Sequence, residues 1–263
     1  MDPQRTYYGK YRGFVVDNDD PERRGRLKVR VPSVLGDATT AWALPCLPFG
    51  GLANQGLFLV PELDSQLWVE FEEGNRDFPI WSGVFWQQQR DVPAEADVGY
   101  PASRVLRTPS GHVLHFADES GKEIVLLQHK DGAELRLDET GAVTLKSRNN
   151  SRLVLDVDGN SATLTEAAGH ALTMDPSGVT VKDASGNEIR LEASGITIKG
   201  TQVVIDASSV ALGGQGGEPL LKGASFLALF ATHMHTTTAP GTPTSPPIPQ
   251  GEASALTTKT RAS

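Results

Sequence analysis

Between residues 111 and 212 the chain alternates apolar and polar positions in short runs, each opened by a turn residue. The segments 111–116 (GHVLHF), 132–137 (GAELRL), 150–155 (NSRLVL), 169–174 (GHALTM) and 186–191 (GNEIRL) carry apolar residues three and five positions after their first residue. Successive side chains of a strand point to opposite faces, so this period of two predicts β-strands with one apolar and one polar side. Further strands open at glycines in 141–145 (GAVTL), 178–181 (GVTV) and 195–198 (GITI). The last two units superpose at a spacing of 17, pairing Gly169 with Gly186, Leu172 with Ile189, Met174 with Leu191, Val179 with Ile196 and Val181 with Ile198. A fixed spacing of this kind predicts a repeat architecture. The polar positions hold Glu134, Arg136, Thr144, Arg190, Thr197 and Lys199, so that face expects water. A two-stranded unit is marginal alone, and its thin apolar stripe must stack on neighbours, close on itself or join other copies.

Residues 1–90 are patterned differently. The runs 11–16 (YRGFVV), 25–31 (GRLKVRV), 56–60 (GLFLV), 66–71 (QLWVEF) and 79–86 (PIWSGVFW) are rich in β-branched and aromatic residues and separated by turn chemistry. Five short strands in this length predict a small Greek-key barrel such as the OB-fold. All four tryptophans, Trp42, Trp68, Trp81 and Trp86, and six of the nine phenylalanines lie here, so this is where an ordinary core is built.

Composition narrows the function. Across 263 residues the hydrophobic fraction is 38%, aromatics are 6% and glycines number 27, the profile of a chain with many turns and thin cores. The formal charge of −8 argues against a general nucleic-acid or anionic-membrane surface. The barrel aromatics could serve as base-stacking platforms, but Glu62, Asp64, Glu70, Glu72, Glu73 and Asp77 lie among them and would repel phosphate. Cys46 is the one cysteine, which excludes an intrachain disulfide and a cysteine-rich zinc site. No basic region followed by an apolar run opens the chain and no apolar stretch has membrane-span length, so synthesis in the cytoplasm is expected.

The motifs 18–32 (NDDPERRGRLKVRVP), 42–45 (WALP), 56–61 (GLFLVP) and 69–83 (VEFEEGNRDFPIWSG) resemble, in this order, the OB barrel of contractile-tail central spike proteins. These are the spikes of phage baseplates and the VgrG-type spikes of type VI secretion and extracellular contractile injection systems. The resemblance implies an all-β protein, an N-terminal OB-fold barrel followed by a trimeric intertwined β-helix shaft with a short irregular or helical C-terminal tip. Before it, a single-chain β-solenoid fits the repeats equally well. The expected boundaries are a barrel over residues 1–90, a linker over 91–108, a shaft over 109–213, and a tip and tail over 214–263. Within the tip, 219–230 holds enough apolar residues for one helix of about two turns.

The resemblance also implies function. It points to a homotrimeric, membrane-piercing spike assembled into a tail-like particle, bridging a separate hub protein at the OB end and the spike tip, and meeting the target envelope only on firing. A small tip-capping protein and effector cargo are further expected partners. His233 and His235 resemble the His-x-His pair that binds iron near the apex of phage-type spikes, and three chains would supply six imidazoles, an octahedral set for one transition-metal ion. Some 28 residues follow His235, however, whereas a sharp apex needs the chain to end nearby or fold back. The loop over 32–56 is a candidate hub contact.

Catalysis is not expected. No Gly-x-Ser-x-Gly elbow, phosphate loop or His-Glu-x-x-His helix is present, and His112, His115, His129 and His170 have no Ser or Cys partner at a telling spacing. The acidic run 156–160 (DVDGN) lacks the remaining ligands of a calcium loop and reads as a tight turn. The alternative to a spike is a trimeric fibre or adhesin module, which shares a β-shaft but leaves the barrel motifs unexplained.

Overall fold

The computed structural model describes residues 6–208 and 223–232. They fall into two compact units, 1–201 and 202–263.

The first unit begins with five strands: β1 (Tyr11–Asp17), β2 (Lys28–Arg30), β3 (Leu44–Pro45), β4 (Gln66–Phe71) and β5 (Pro79–Val84), in spatial order β2-β1-β4-β5-β3. The alternation of β4 puts Leu67, Val69 and Phe71 inside, where they meet Val15, Leu27, Val29, Val31, Val34, Ala43 and Trp81. Isolated bridges from Leu27 to Ala43 and from Arg30 to Thr39 bring the chain before β3 back against the β2 region, curling the sheet on itself. Gly13 is required by packing, since a Cβ there would stand 2.5 Å from a Val29 methyl and 2.9 Å from a Val69 methyl. Trp81 donates its indole N–H to the Gly25 carbonyl at 3.0 Å, giving the buried ring its one polar partner.

The β1–β2 connection is held by Asp20, which is 5% exposed. Its carboxylate accepts from Arg26 Nε and Nη2 at 3.0 and 2.6 Å and from the backbone N–H groups of Glu22, Arg24 and Arg26. The Arg26 guanidinium, helped by those N–H groups, holds the Asp20 carboxyl far below the usual carboxylate range.

One predicted strand is absent. Residues 56–60 form no ladder, and only Leu57 N–H reaches back, to the Phe49 carbonyl at 3.1 Å. Leu57, Phe58 and Leu59 are exposed instead, and the fifth place in the sheet is taken by the two-residue β3, parallel to β5.

The remainder of the first unit is one eleven-stranded antiparallel sheet in which every strand pairs with its neighbours in sequence. The strands are β6 (Ser103–Arg107), β7 (Val113–Ala117), β8 (Ile124–Gln128), β9 (Glu134–Leu137), β10 (Val143–Lys146), β11 (Arg152–Asp156), β12 (Ser161–Thr165), β13 (Ala171–Asp175), β14 (Gly178–Lys182), β15 (Glu188–Glu192) and β16 (Gly195–Lys199). β6 lies inside the stretch expected to be linker, so the sheet starts earlier than the repeat pattern indicates. Pairing within one chain follows from connection length. Turns of a few residues close each hairpin at small entropic cost, so the nearest partner for a strand is the next strand. The ladder described is accordingly one of sequential hairpins within the chain.

The turns along one edge share one geometry. In 108–112, 129–133, 147–151, 166–170 and 183–187 the first N–H donates to the fifth carbonyl and the fourth N–H to the first carbonyl. That fourth residue sits at positive φ, which accounts for Gly111, Gly132, Asn150, Gly169 and Gly186. The fifth residue in turn reaches the second N–H of the next turn: His112 Nδ1 accepts from Lys130, Ser151 Oγ from Ala167 and His170 Nδ1 from Ala184, at 3.1 to 3.3 Å. The 156–160 run is likewise a turn, with Gly159 N–H on the Asp156 carboxylate at 3.1 Å and Asn160 at φ 45°.

In the second unit the described residues include one helix, Gly223–Thr232, where a helix was expected. The Phe226 and Phe230 rings stack along one side of it with centroids 5.8 Å apart. Residues 203–206, within the stretch expected to be shaft, carry no regular structure, and the rest of that stretch from residue 209 lies outside the described residues.

Candidate functional site

The register of the long sheet converts the sequence alternation into two unbroken apolar columns on one face. The first runs Leu106, Leu114, Leu127, Leu135, Leu145, Leu153, Leu164, Leu172, Val181, Ile189, Ile198, each directly opposite the next across a strand pair. The second runs Phe116, Val125, Leu137, Val143, Leu155, Ala162, Met174, Val179, Leu191, Ile196, and is preceded on β6 by Arg104, whose guanidinium meets Asp118 at 3.1 Å. At the usual inter-strand spacing the columns extend about 48 Å.

Nothing among the described residues of the first unit covers them. Fourteen of these side chains are at least 36% exposed, Leu127 to 55% and Ile196 to 69%. By contrast the buried apolar residues of the sheet are only Val113 and Ala117, at its start. Half-covered aliphatic side chains of this size would each gain roughly 1 kcal/mol from full burial, so the face stores on the order of 10 kcal/mol per chain for whatever covers it. An apolar patch of this length marks an interface.

The opposite face is built for water. Its central row is Val105, His115, Leu126, Arg136, Thr144, Val154, Thr163, Thr173, Thr180, Arg190, Thr197. Lys146 bridges Glu134 at 3.0 Å across the β9–β10 pair, and Arg190 bridges Glu188 and Glu192 along β15 at 2.5 and 3.6 Å. These partly exposed pairs each add modest stability and keep this face polar.

Where this polar face begins, the 89–101 segment packs on it. His115 is 3% exposed, and its Nε2 lies 2.6 Å from Ser103 Oγ, whose hydroxyl donates to the Glu95 carbonyl. With the serine proton committed to that carbonyl, the imidazole donates to the serine oxygen. A base that activates serine must do the reverse, so the pair fastens the segment to β6 rather than preparing a nucleophile. No spacing rule signalled this contact. Glu95 also pairs with Arg107 through Oε1, while its Oε2 is buried without a hydrogen-bond partner.

His112, His129 and His170 belong to turns. His112 and His129 lie with ring centroids 4.5 Å apart, and the Nδ1 of each accepts a backbone N–H. His233 and His235 lie outside the described residues. Among the described residues no group of three or more His, Cys, Asp or Glu is placed to hold a metal ion.

Residues 11–86 match the family model described as the type VI secretion system/phage-baseplate injector OB domain. The match runs from the first residue of β1 to Trp86 and covers the whole five-stranded sheet. No curated protein matches the chain.

Proposed function

The chain carries the OB domain of type VI secretion and phage-baseplate injectors, and from that premise we propose that it is the central spike of a contractile injection apparatus, acting as a homotrimer. The observation that carries this reading is the pair of unbroken apolar columns. A single sheet cannot cover its own face, and three sheets set around a threefold axis would turn all three apolar faces inward and all three polar faces out. The product is a narrow prism whose core consists of stacked leucine, isoleucine and valine layers. Its stiffness would come from two sources, the intrachain ladder and the dry seam between chains.

The action of such a body is mechanical. The barrels stand at the base against the hub or other baseplate components, and contraction drives the prism forward so that force acts on a small area of envelope. No helix of the described residues is long and apolar enough to cross a membrane, and the role requires only transient passage. We propose no catalytic step. At the tip, His233 and His235 of three chains would offer six neutral imidazoles to one iron or similar ion, and acid would release it by protonating them.

Native mass spectrometry of the full chain tests both parts. The expected species is three times the 28.1 kDa chain mass, carrying one metal ion that is lost in the His233→Ala/His235→Ala variant. A dimer would mean that two sheets face each other as a sandwich, and a monomer would overturn the shaft reading. A metal-free trimer would keep the spike and remove the metal apex.

A further inference from the structure

The barrel carries a second uncovered surface, independent of the columns. Beside β5 lies a groove of about 570 Å³ with walls that include Leu57, Leu59, Val84, Phe85 and Trp86. It is open to solvent, with Trp86 59% and Leu59 51% exposed. Among the residues lining it the ionisable carboxyl groups are Glu62, Asp64 and Asp91, and no Lys, Arg or His faces them. Among the described residues Glu62 and Asp64 have no ion-pair partner, while Asp91 sits 4.0 Å from Arg90 and accepts the Gln88 N–H.

The backbone alongside is also unfinished. β3 covers β5 only at Ile80 and Trp81, where Cys46 N–H donates to the Trp81 carbonyl. Ser82, Gly83 and Val84 run on past the end of β3 with no strand on that side, and Gly83 lines the groove. An open strand edge is a template for another extended segment, and apolar pockets beside it select alternate side chains.

We propose that this edge and groove form a docking site for an extended segment of a partner protein, one with alternating apolar side chains flanked by lysine or arginine. The segment adds a short strand to β5 beyond Pro45, sinks its apolar side chains between Leu59 and Trp86, and sets its cations against Glu62 and Asp64. This goes beyond the spike reading and requires no particular oligomeric state. The loop over 56–60 then has a reason to form no strand of the barrel, since Leu57, Leu59 and Val60 line the site.

Cys46 lines the groove and is the protein's one thiol, so its reaction with a disulfide reagent reports occupancy directly. The probe is the peptide acetyl-KLTVTLK-amide, with acetyl-ELTVTLE-amide as the charge control, each titrated into the full-length protein. The expected result is at least a fivefold slowing of thiol reaction by the lysine peptide and none by the glutamate peptide, with the preference reversed in the surface variant Glu62→Lys/Asp64→Lys. If neither peptide slows the reaction, or both do equally, the proposal fails. If Cys46 is already slow in the protein alone and quickens on dilution, a second copy fills the groove and the proposal of a different partner is overturned. Trp86→Ala, which truncates one wall of the site, should weaken protection by the lysine peptide, measured against the peptide-free thiol rate of the same variant. An unchanged effect would place the peptide elsewhere and equally overturn the site.

Discussion

The barrel and the long sheet are both β-structure with alternating patterns, yet they meet water in opposite ways. The barrel curls on itself, so six inward side chains of β1, β2, β4 and β5 find one another and, with Leu27, Val31, Val34 and Ala43 of the connections, form one buried cluster. The long sheet has eleven strands in sequential order, and no pairing joins its two ends. Its inward equivalents line two columns that remain open along the whole ladder. A domain whose apolar face is satisfied within one chain is a folding unit, whereas a face of this length left open is half of an interface. The first is closed within one chain, and on the proposed reading the second is closed by other copies.

The most damaging way to break this comparison is a charge in a column. Leu153→Asp would place one carboxylate per chain in the proposed seam at a cost of at least about 3 kcal/mol each. The expected outcome is loss of the trimer by light scattering. Because all four tryptophans lie in or near the barrel, their fluorescence should show the barrel still folded. Loss of both signals together would mean that the two regions are not energetically separate.

The converse change is Leu67→Ala in the barrel core, where the side chain is fully buried. It should lower barrel stability by about 2–5 kcal/mol, read as an earlier tryptophan-detected transition in urea. The oligomer mass should not change. A dissociated oligomer would show that the barrels, not the columns, hold the chains together.

A smaller effect concerns acid. Asp138, Asp175 and Asp183 cap their own turns, bonded first by Thr140, Ser177 and Asn187 respectively and then by nearby backbone N–H groups, and each carboxyl is held below its ordinary value of 3.8. A carboxyl with a lowered folded pKa contributes stability that is present above its unfolded value and is lost as pH falls through the folded one. The sheet should therefore weaken on going from pH 5 to below pH 3 by more than a triple alanine variant of these residues does, measured by urea midpoints from circular dichroism. An identical acid response in the variant would remove the turns from the explanation. Smallest of all, His170→Ala removes one turn-to-turn bond and should cost about 1 kcal/mol.

Several features were legible along the chain because they are local. The +3 and +5 apolar positions after Gly132, Asn150, Gly169 and Gly186 all lie in the two columns, since alternation within a strand decides its face regardless of what the strand packs against. Other strands were hidden for equally local reasons. β8 reads IVLLQ, an apolar run without alternation, β12 reads SATLT, mostly polar, and β6 begins inside a stretch with no pattern. The 56–60 run misled in the opposite direction. Its composition suits a strand, but its backbone joins no ladder, even though β5 past Trp81 is unpaired on the side of the groove that this run lines.

What the sequence determined by itself was the apolar side of the alternating strands, the turn positions that demand positive φ, and the barrel motifs that the family match bears out. All of these depend on residues close together in the chain. Only the tertiary structure decided that the strands pair in sequential order, so that separate pairs of apolar residues line up into continuous columns. It alone placed His115 against Ser103 and left β5 with a free edge beside an acidic groove. Those relations join residues that no short-range rule connects, because strand register and chain reversal, not spacing, set which side chains meet.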